Sequence, residues 1–178
     1  MVRVYLALGG NLGDRHLSLR TAIERLQEHV AIDQQSGIYE TAPMYVADQP
    51  AFLNMVVSGM TDLTPLALLD FLKRLESEIG RVPSVVNGPR QIDLDILFYG
   101  DTVLDSDRLT LPHPRIAERA FVLVPLCDIA PDLIGPTENR SISVLLAQVP
   151  GRDTVQLCVL RIPVSRSLRL SYLCIAIM

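Results

Sequence analysis

Residues 88–99 read Gly-Pro-Arg-Gln-Ile-Asp-Leu-Asp-Ile-Leu-Phe-Tyr. Ile92, Leu94 and Ile96 alternate with Asp93 and Asp95, and apolar/polar alternation marks a strand with one face buried. Residues two apart on a strand share a face, so the two carboxylates project together while the apolar three point to a core. The expected strand runs over residues 91–99. Gly100-Asp101 then turns the chain into a further short strand, residues 102–104. Strands therefore come in adjacent pairs here, and the rest of the chain repeats that arrangement.

Upstream, residues 2–8 read as a strand and residues 9–14, Gly-Gly-Asn-Leu-Gly-Asp, as a turn. From His16 to about Val30 the positions Leu19, Ala22, Ile23, Leu26 and Val30 recur at helical spacing. A weaker strand follows over 32–39, then a loop over 41–50 with two prolines, long enough to bind a ligand or act as a lid. Residues 52–60 are a strand. Thr64-Pro65 opens a helix with a capping hydroxyl followed by proline at the first helical position. That helix reaches Ile79, with Leu68, Leu69, Leu72, Leu75 and Ile79 inward, and Gly80 stops it. Downstream, residues 116–129 are helical, and Pro125 inside them predicts a kink or two shorter pieces. The order strand, helix, strand, strand, helix, strand, strand, helix specifies an α+β fold, a mainly antiparallel sheet with helices packed on it.

The chain has 178 residues, 49% apolar and 20% charged, with a net charge of −4. That is one domain's worth of ordinary globular composition. A net negative charge excludes field-driven binding of nucleic acid, so an anionic ligand needs a local basic site. Cys127, Cys158 and Cys174 are odd in number and show no C-x-x-C spacing, which predicts unpaired thiols in a reducing compartment. The N-terminal apolar run is too short for a signal peptide and no run spans a membrane, so the expected location is cytoplasmic. Residues 1–150 form the expected domain. Residues 151–178 have no acidic residue after Asp153 but contain Arg161, Arg166 and Arg169 among apolar residues. The expectation for them is a poorly anchored tail, with an extra edge strand or a non-native terminus as alternatives.

Asp93 and Asp95 repel each other unless a cation lies between them. Mg²⁺ is suited to that place, since it takes one or two carboxylates and completes its shell with water and phosphate. Arg90 offers a planar fork for phosphate oxygens. Metal-assisted phosphoryl chemistry is one reading. Two solvated acids on an exposed strand face is the other.

Five segments, taken in order, resemble the 6-hydroxymethyl-7,8-dihydropterin pyrophosphokinases of folate biosynthesis. They are residues 8–14 (Leu-Gly-Gly-Asn-Leu-Gly-Asp), 39–43 (Tyr-Glu-Thr-Ala-Pro), 48–54 (Asp-Gln-Pro-Ala-Phe-Leu-Asn), 88–96, and Leu-Pro-His-Pro-Arg at 111–115 leading to Arg119-Ala120-Phe121. The resemblance spans about residues 2–150 and implies a ferredoxin-like layered α+β fold. The activity it implies is transfer of pyrophosphate from ATP to the hydroxymethyl oxygen of the reduced pterin, releasing AMP. It also implies two Mg²⁺ ions held by Asp93 and Asp95, and catalytic roles for Arg81, Arg90, Asp93 and Asp95.

Arg81, Arg90 and Arg119 map to positions at the triphosphate, His113 lies near the phosphates, and Ile96, Arg108 and Thr110 map to the adenosine side. Phe52 and Phe121 match the two rings that sandwich the pterin. Thr41, Pro43, Met44, Asn54 and Asp93 complete the pterin set. ATP and the pterin are the implied partners, acting on a monomer with no nucleic acid or membrane. The chain departs from the family at Gly10, often Ser, and at Pro114, commonly aromatic. It also departs at Pro83, Val86 and Asn87, where the family carries basic residues and an aromatic that close over ATP. That thinned loop motivates an alternative reading, a catalytically weak pterin or nucleotide binder. A kinase moving only the γ-phosphoryl group is a third. Arg115 and Arg152 read as surface charge.

Overall fold

A computed structural model describes residues 1–44, 48–82 and 88–159. Its centre is β1 (Val2–Gly10), whose side chains alternate between two faces. β1 pairs antiparallel with β4 (Phe52–Thr61) on one side and with β5 (Asp93–Tyr99) on the other. β2 (Val30–Gln35) and β3 (Ile38–Thr41) both pair with β4, and β8 (Gln156–Val159) pairs with β3. All these pairings are antiparallel, and β5 forms an edge of the sheet. β6 (Leu104–Asp105) and β7 (Thr110–Leu111) make a separate two-stranded ribbon.

Because side chains alternate along each strand, the sheet carries a core on both faces. Val4, Leu6, Leu8, Leu94 and Ile96 pack on one face with α1 (Arg15–Leu26) and α2 (Pro65–Ile79). Val56, Leu97 and Phe98 pack on the other with α3 (Ala120–Ile129) and α4 (Ile142–Gln148). The layered α+β expectation is met.

Local signals set the helix limits. Asp14 caps α1 by accepting from the Leu17 N–H, and Thr64 caps α2 by accepting from the Ala67 N–H. Gly80 ends α2 in the left-handed region at φ 105°, where a Cβ would be strained. Four expectations need correction. α1 stops at Leu26, and Val30 instead opens β2 while remaining buried. The strand expected over 32–39 is broken at Ser36-Gly37. The Ser36 hydroxyl donates to the Gly37 carbonyl and accepts from the Val56 N–H, so the ladder is interrupted there. The break in the 116–129 helix falls at Arg119, which is extended, and Pro125 lies inside α3. The short strand expected over 102–104 lies at Leu104–Asp105 instead, where β7 pairs with it.

The edge-strand alternative holds over Gln156–Val159, because β3 otherwise presents unpaired backbone groups that β8 covers. Residues 160–178, and the altered loop residues Pro83, Val86 and Asn87, lie outside the described residues. Cys127 and Cys158 are free thiols.

Candidate active site

A cavity of about 490 Å³ opens beside the first residues of β5 and of β4, the end of β1, and the segment entering α3. Alternation along β5 aims Asp93 and Asp95 into it, while Leu94 between them is buried in the α1–α2 core. Asp93 is bracketed by guanidinium groups. Its Oδ1 accepts from Arg81 Nη1, and its Oδ2 lies 3.1 Å from Arg90 Nε, off the line of a hydrogen bond. Among the described residues Asp95 makes no hydrogen bond or ion pair; it lies within electrostatic range of His113. Arg119 comes from the extended residue just before α3. It is 8% exposed, its Nε has no hydrogen-bond partner among the described residues, and its guanidinium stands 5.5 Å from the Phe121 ring centroid. Arg90 stands over Phe52 at the same 5.5 Å.

Phe52 and Phe121 both line this cavity, as do Thr41, Met44 and Asn54. Buried Asn54 donates from Nδ2 to the Thr41 hydroxyl at 2.8 Å. Gly9 is required beside it, since a Cβ there would come within 2.7 Å of Asn54 Oδ1. Gly10 is equally constrained, because a Cβ would sit 2.2 Å from the Gln91 carbonyl oxygen. The adenosine set lies off the cavity wall. Ile96 is buried in the α1–α2 core, Arg108 pairs with Asp70, and Thr110 is on β7 with its hydroxyl 3.3 Å from Asp105 Oδ1. Pro43 also stands outside the wall, next to Ala42 and Met44, which line it.

A model of the family described as 7,8-dihydro-6-hydroxymethylpterin-pyrophosphokinase matches residues 5–131. The chain belongs to that family. It is 46% identical over 151 residues to the 2-amino-4-hydroxy-6-hydroxymethyldihydropteridine pyrophosphokinase of Pseudomonas aeruginosa, covering 83% of this chain and 92% of that protein. It is 44% identical over 151 residues to the folic acid synthesis protein fol1 of Pneumocystis carinii, covering 84% of this chain and 20% of that protein. The chain thus spans about a fifth of the length of that fungal relative. In fold it is similar to the HPPK-DHPS protein of Plasmodium falciparum, with a TM-score of 0.67 at 17% identity over 82% of this chain and 44% of that one.

Several residues of this pyrophosphokinase-family cavity escape sequence reading. Lys73 and Gln49 line it, and Arg115, expected as surface charge, lines it too. Lys73, Arg81, Arg90, Arg115 and Arg119 are five cations against the two lining carboxylates Asp93 and Asp95. The chain is acidic and its cavity is cationic. Behind the wall sits Glu76, 2% exposed, with Oε2 2.7 Å from Arg81 Nη1. Burial pushes its carboxyl above the usual range, against the pull of Lys73, the Leu94 N–H and Arg81.

Asn11 stitches the site's two loops together. Its Oδ1 accepts from the Arg90 N–H at 2.8 Å, and its Nδ2 donates to Gln49 Oε1 at 3.1 Å and to the Pro50 carbonyl at 3.0 Å. Asn11→Ala would strand these partly buried groups, at a cost of about 2 kcal/mol of stability. Urea unfolding of the two proteins checks this; equal midpoints would refute it.

His113 lines the cavity with its Nδ1 accepting from the Arg115 N–H at 3.2 Å, which leaves the proton of the neutral ring on Nε2. Burial lowers its pKa from the ordinary 6.5, Asp95 opposes that, and Arg119 and Arg115 add to it. The unfolded chain therefore takes up a proton at a higher pH than the folded one. The associated stability is complete above pH 6.5 and is lost as the pH falls below it. His113→Gln should flatten this acid limb in metal-free urea titrations between pH 7 and 5.5. An unchanged limb would count against the assignment.

Proposed function

We propose that this chain transfers the β,γ-pyrophosphoryl group of ATP to the hydroxymethyl oxygen of 6-hydroxymethyl-7,8-dihydropterin, releasing AMP, in tetrahydrofolate biosynthesis. The observation that carries the reading is the cavity itself. Five cations and two same-face carboxylates share one wall with two phenylalanine rings and the Thr41–Asn54 pair. The charged part suits a polyphosphate, and the rings with a polar edge suit a flat heterocycle.

In this reading Phe52 and Phe121 cover the faces of the pterin, while Thr41 and Asn54 meet its edge. Arg81, Arg90 and Arg119 hold phosphoryl oxygens and stabilise the charge that builds up on them. The hydroxymethyl oxygen attacks the β-phosphorus, the bond from that phosphorus to the α,β-bridging oxygen breaks, and AMP leaves with the bonding pair. The hydroxyl proton is released to solvent. None of the side chains placed at the pterin end is a dedicated base, so positioning and electrostatics carry the rate. The residues fit the implied metal, since two hard carboxylates with no third ligand among the described residues leave room for water and phosphate oxygens. Two Mg²⁺ ions held by Asp93 and Asp95 would screen the triphosphate and orient it. The protein is read as a cytoplasmic monomer; no helix among the described residues is long and apolar enough to cross a membrane.

Incubation with ATP, the reduced pterin and Mg²⁺ should yield AMP and the pterin pyrophosphate in equal amounts. ADP in place of AMP would make the chain a γ-phosphoryl kinase. Tight binding of both ligands with neither product would leave a binding protein, the reading favoured by the uncharged Pro83-Ser84-Val85-Val86-Asn87 stretch.

A further inference from the structure

Among the described residues β5 is an edge strand, so the backbone groups of Leu94 that face away from β1 have no strand there to meet. Two side chains of α2 take the place of that missing strand. Glu76 Oε1 accepts from the Leu94 N–H at 2.7 Å, and Lys73 Nζ donates to the Leu94 carbonyl at 3.3 Å. Glu76 and Lys73 are themselves paired at 2.8 Å, three residues apart on one helix face. The other oxygen of Glu76 holds Arg81, whose Nη1 also bonds Asp93. Leu94 is the residue between Asp93 and Asp95, so the peptide units on both of its sides are pinned from α2.

We infer that Glu76, assisted by Lys73, is a positioning residue that sets the spacing and aim of the Asp93–Asp95 pair through the backbone of Leu94 and the side chain of Arg81. Three features support this. Glu76 is buried at 2% exposure in a helix whose other buried residues are Leu68, Phe71, Leu72 and Leu75, a costly place for a carboxylate unless it is fully bonded. It spends both oxygens on the strand and the arginine that frame the dyad. It also lies outside the cavity wall, so it acts through its neighbours. An apolar side chain here would pack as Leu68, Leu72 and Leu75 do, but it would leave the Leu94 N–H and Arg81 without the acceptor that Glu76 gives them.

The inference rests on the reading of Asp93 and Asp95 as a metal pair, and the test separates the two. Mn²⁺ affinity is measured by electron paramagnetic resonance with α,β-methylene ATP present, alongside pterin affinity by fluorescence. Wild type, Asp95→Asn, Glu76→Ala and Glu76→Gln are compared. Groups that orient metal ligands typically change metal affinity by 10–100-fold, so Glu76→Ala should weaken Mn²⁺ binding by roughly 10-fold or more. Pterin affinity should hold within about twofold. Glu76→Gln keeps volume and an acceptor for the Leu94 N–H but loses the ion pairs, so it should recover part of the loss and stay about threefold or more below wild type. It also keeps the test readable if the alanine variant does not fold. Mn²⁺ affinity within twofold of wild type in either folded variant overturns the inference. So does an equal loss of pterin affinity, which would mark a general loosening. If wild type binds no Mn²⁺, or Asp95→Asn binds it as well as wild type does, the metal reading fails, and the inference with it.

Discussion

Asp95→Asn is expected to lower AMP formation by about 10³-fold or more while pterin affinity stays within about twofold. The asymmetry follows from how the two acids are held. Asp93 already shares its charge with Arg81 and Arg90. Asp95 projects into the same cavity with no hydrogen bond or ion pair among the described residues. It is therefore the carboxylate with free charge to offer a cation. Asparagine keeps the size and one acceptor oxygen but removes that charge. Because the Asp95 side chain makes no hydrogen bond or ion pair among the described residues, the change should cost the fold little. The rings that would hold the pterin stand at Phe52 and Phe121, on other elements of the wall. Turnover assays beside pterin fluorescence titrations check both halves; near-normal turnover would refute the metal assignment.

Arg119→Met is expected to lower kcat/KM for ATP by about 10²–10³-fold, the loss typical of removing one preorganised charge donor. The same variant should unfold at an equal or higher temperature than wild type in the absence of ligand. Arg119 is nearly buried, and among the described residues its Nε is unbonded and its guanidinium gains only a ring face from Phe121. A buried, incompletely bonded cation costs desolvation that a methionine of similar length avoids. The stability spent on Arg119 makes sense if a polyanion completes its bonding. Thermal melts with and without ATP test this. Wild type should gain more from ATP than the variant, and a variant that melts lower without ligand would show that Arg119 is a structural residue instead.

Much of the fold was legible because its signals are short-range. The cap at Thr64, the stop at Gly80, and the alternation through Asp93 and Asp95 all act within one helical turn or two strand residues. The misreadings arose where a distant partner overrode a local pattern. Ser36 splits a strand by bonding Val56, twenty residues away. Pro125 was expected to break a helix, but the extended backbone of Arg119 breaks it first. Within the tail, the edge-strand alternative holds for Gln156–Val159, which pair with the open edge of β3.

The site divides the same way. That Asp93 and Asp95 share a face is a property of the strand alone, because side-chain direction on a strand repeats every two residues. That Arg81 and Arg90 close on Asp93, that Lys73 and Arg115 join the wall, and that Glu76 meets the Leu94 N–H are decided by how α2, β5 and the segment before α3 pack together. Residues far apart in the chain meet only after the sheet has formed, and no local pattern records the meeting. A chain of net charge −4 therefore hides a cationic cavity that its composition could not announce. The strand reading supplied two acids on one face; the packing of α2 against an edge strand supplied the charges that hold them there.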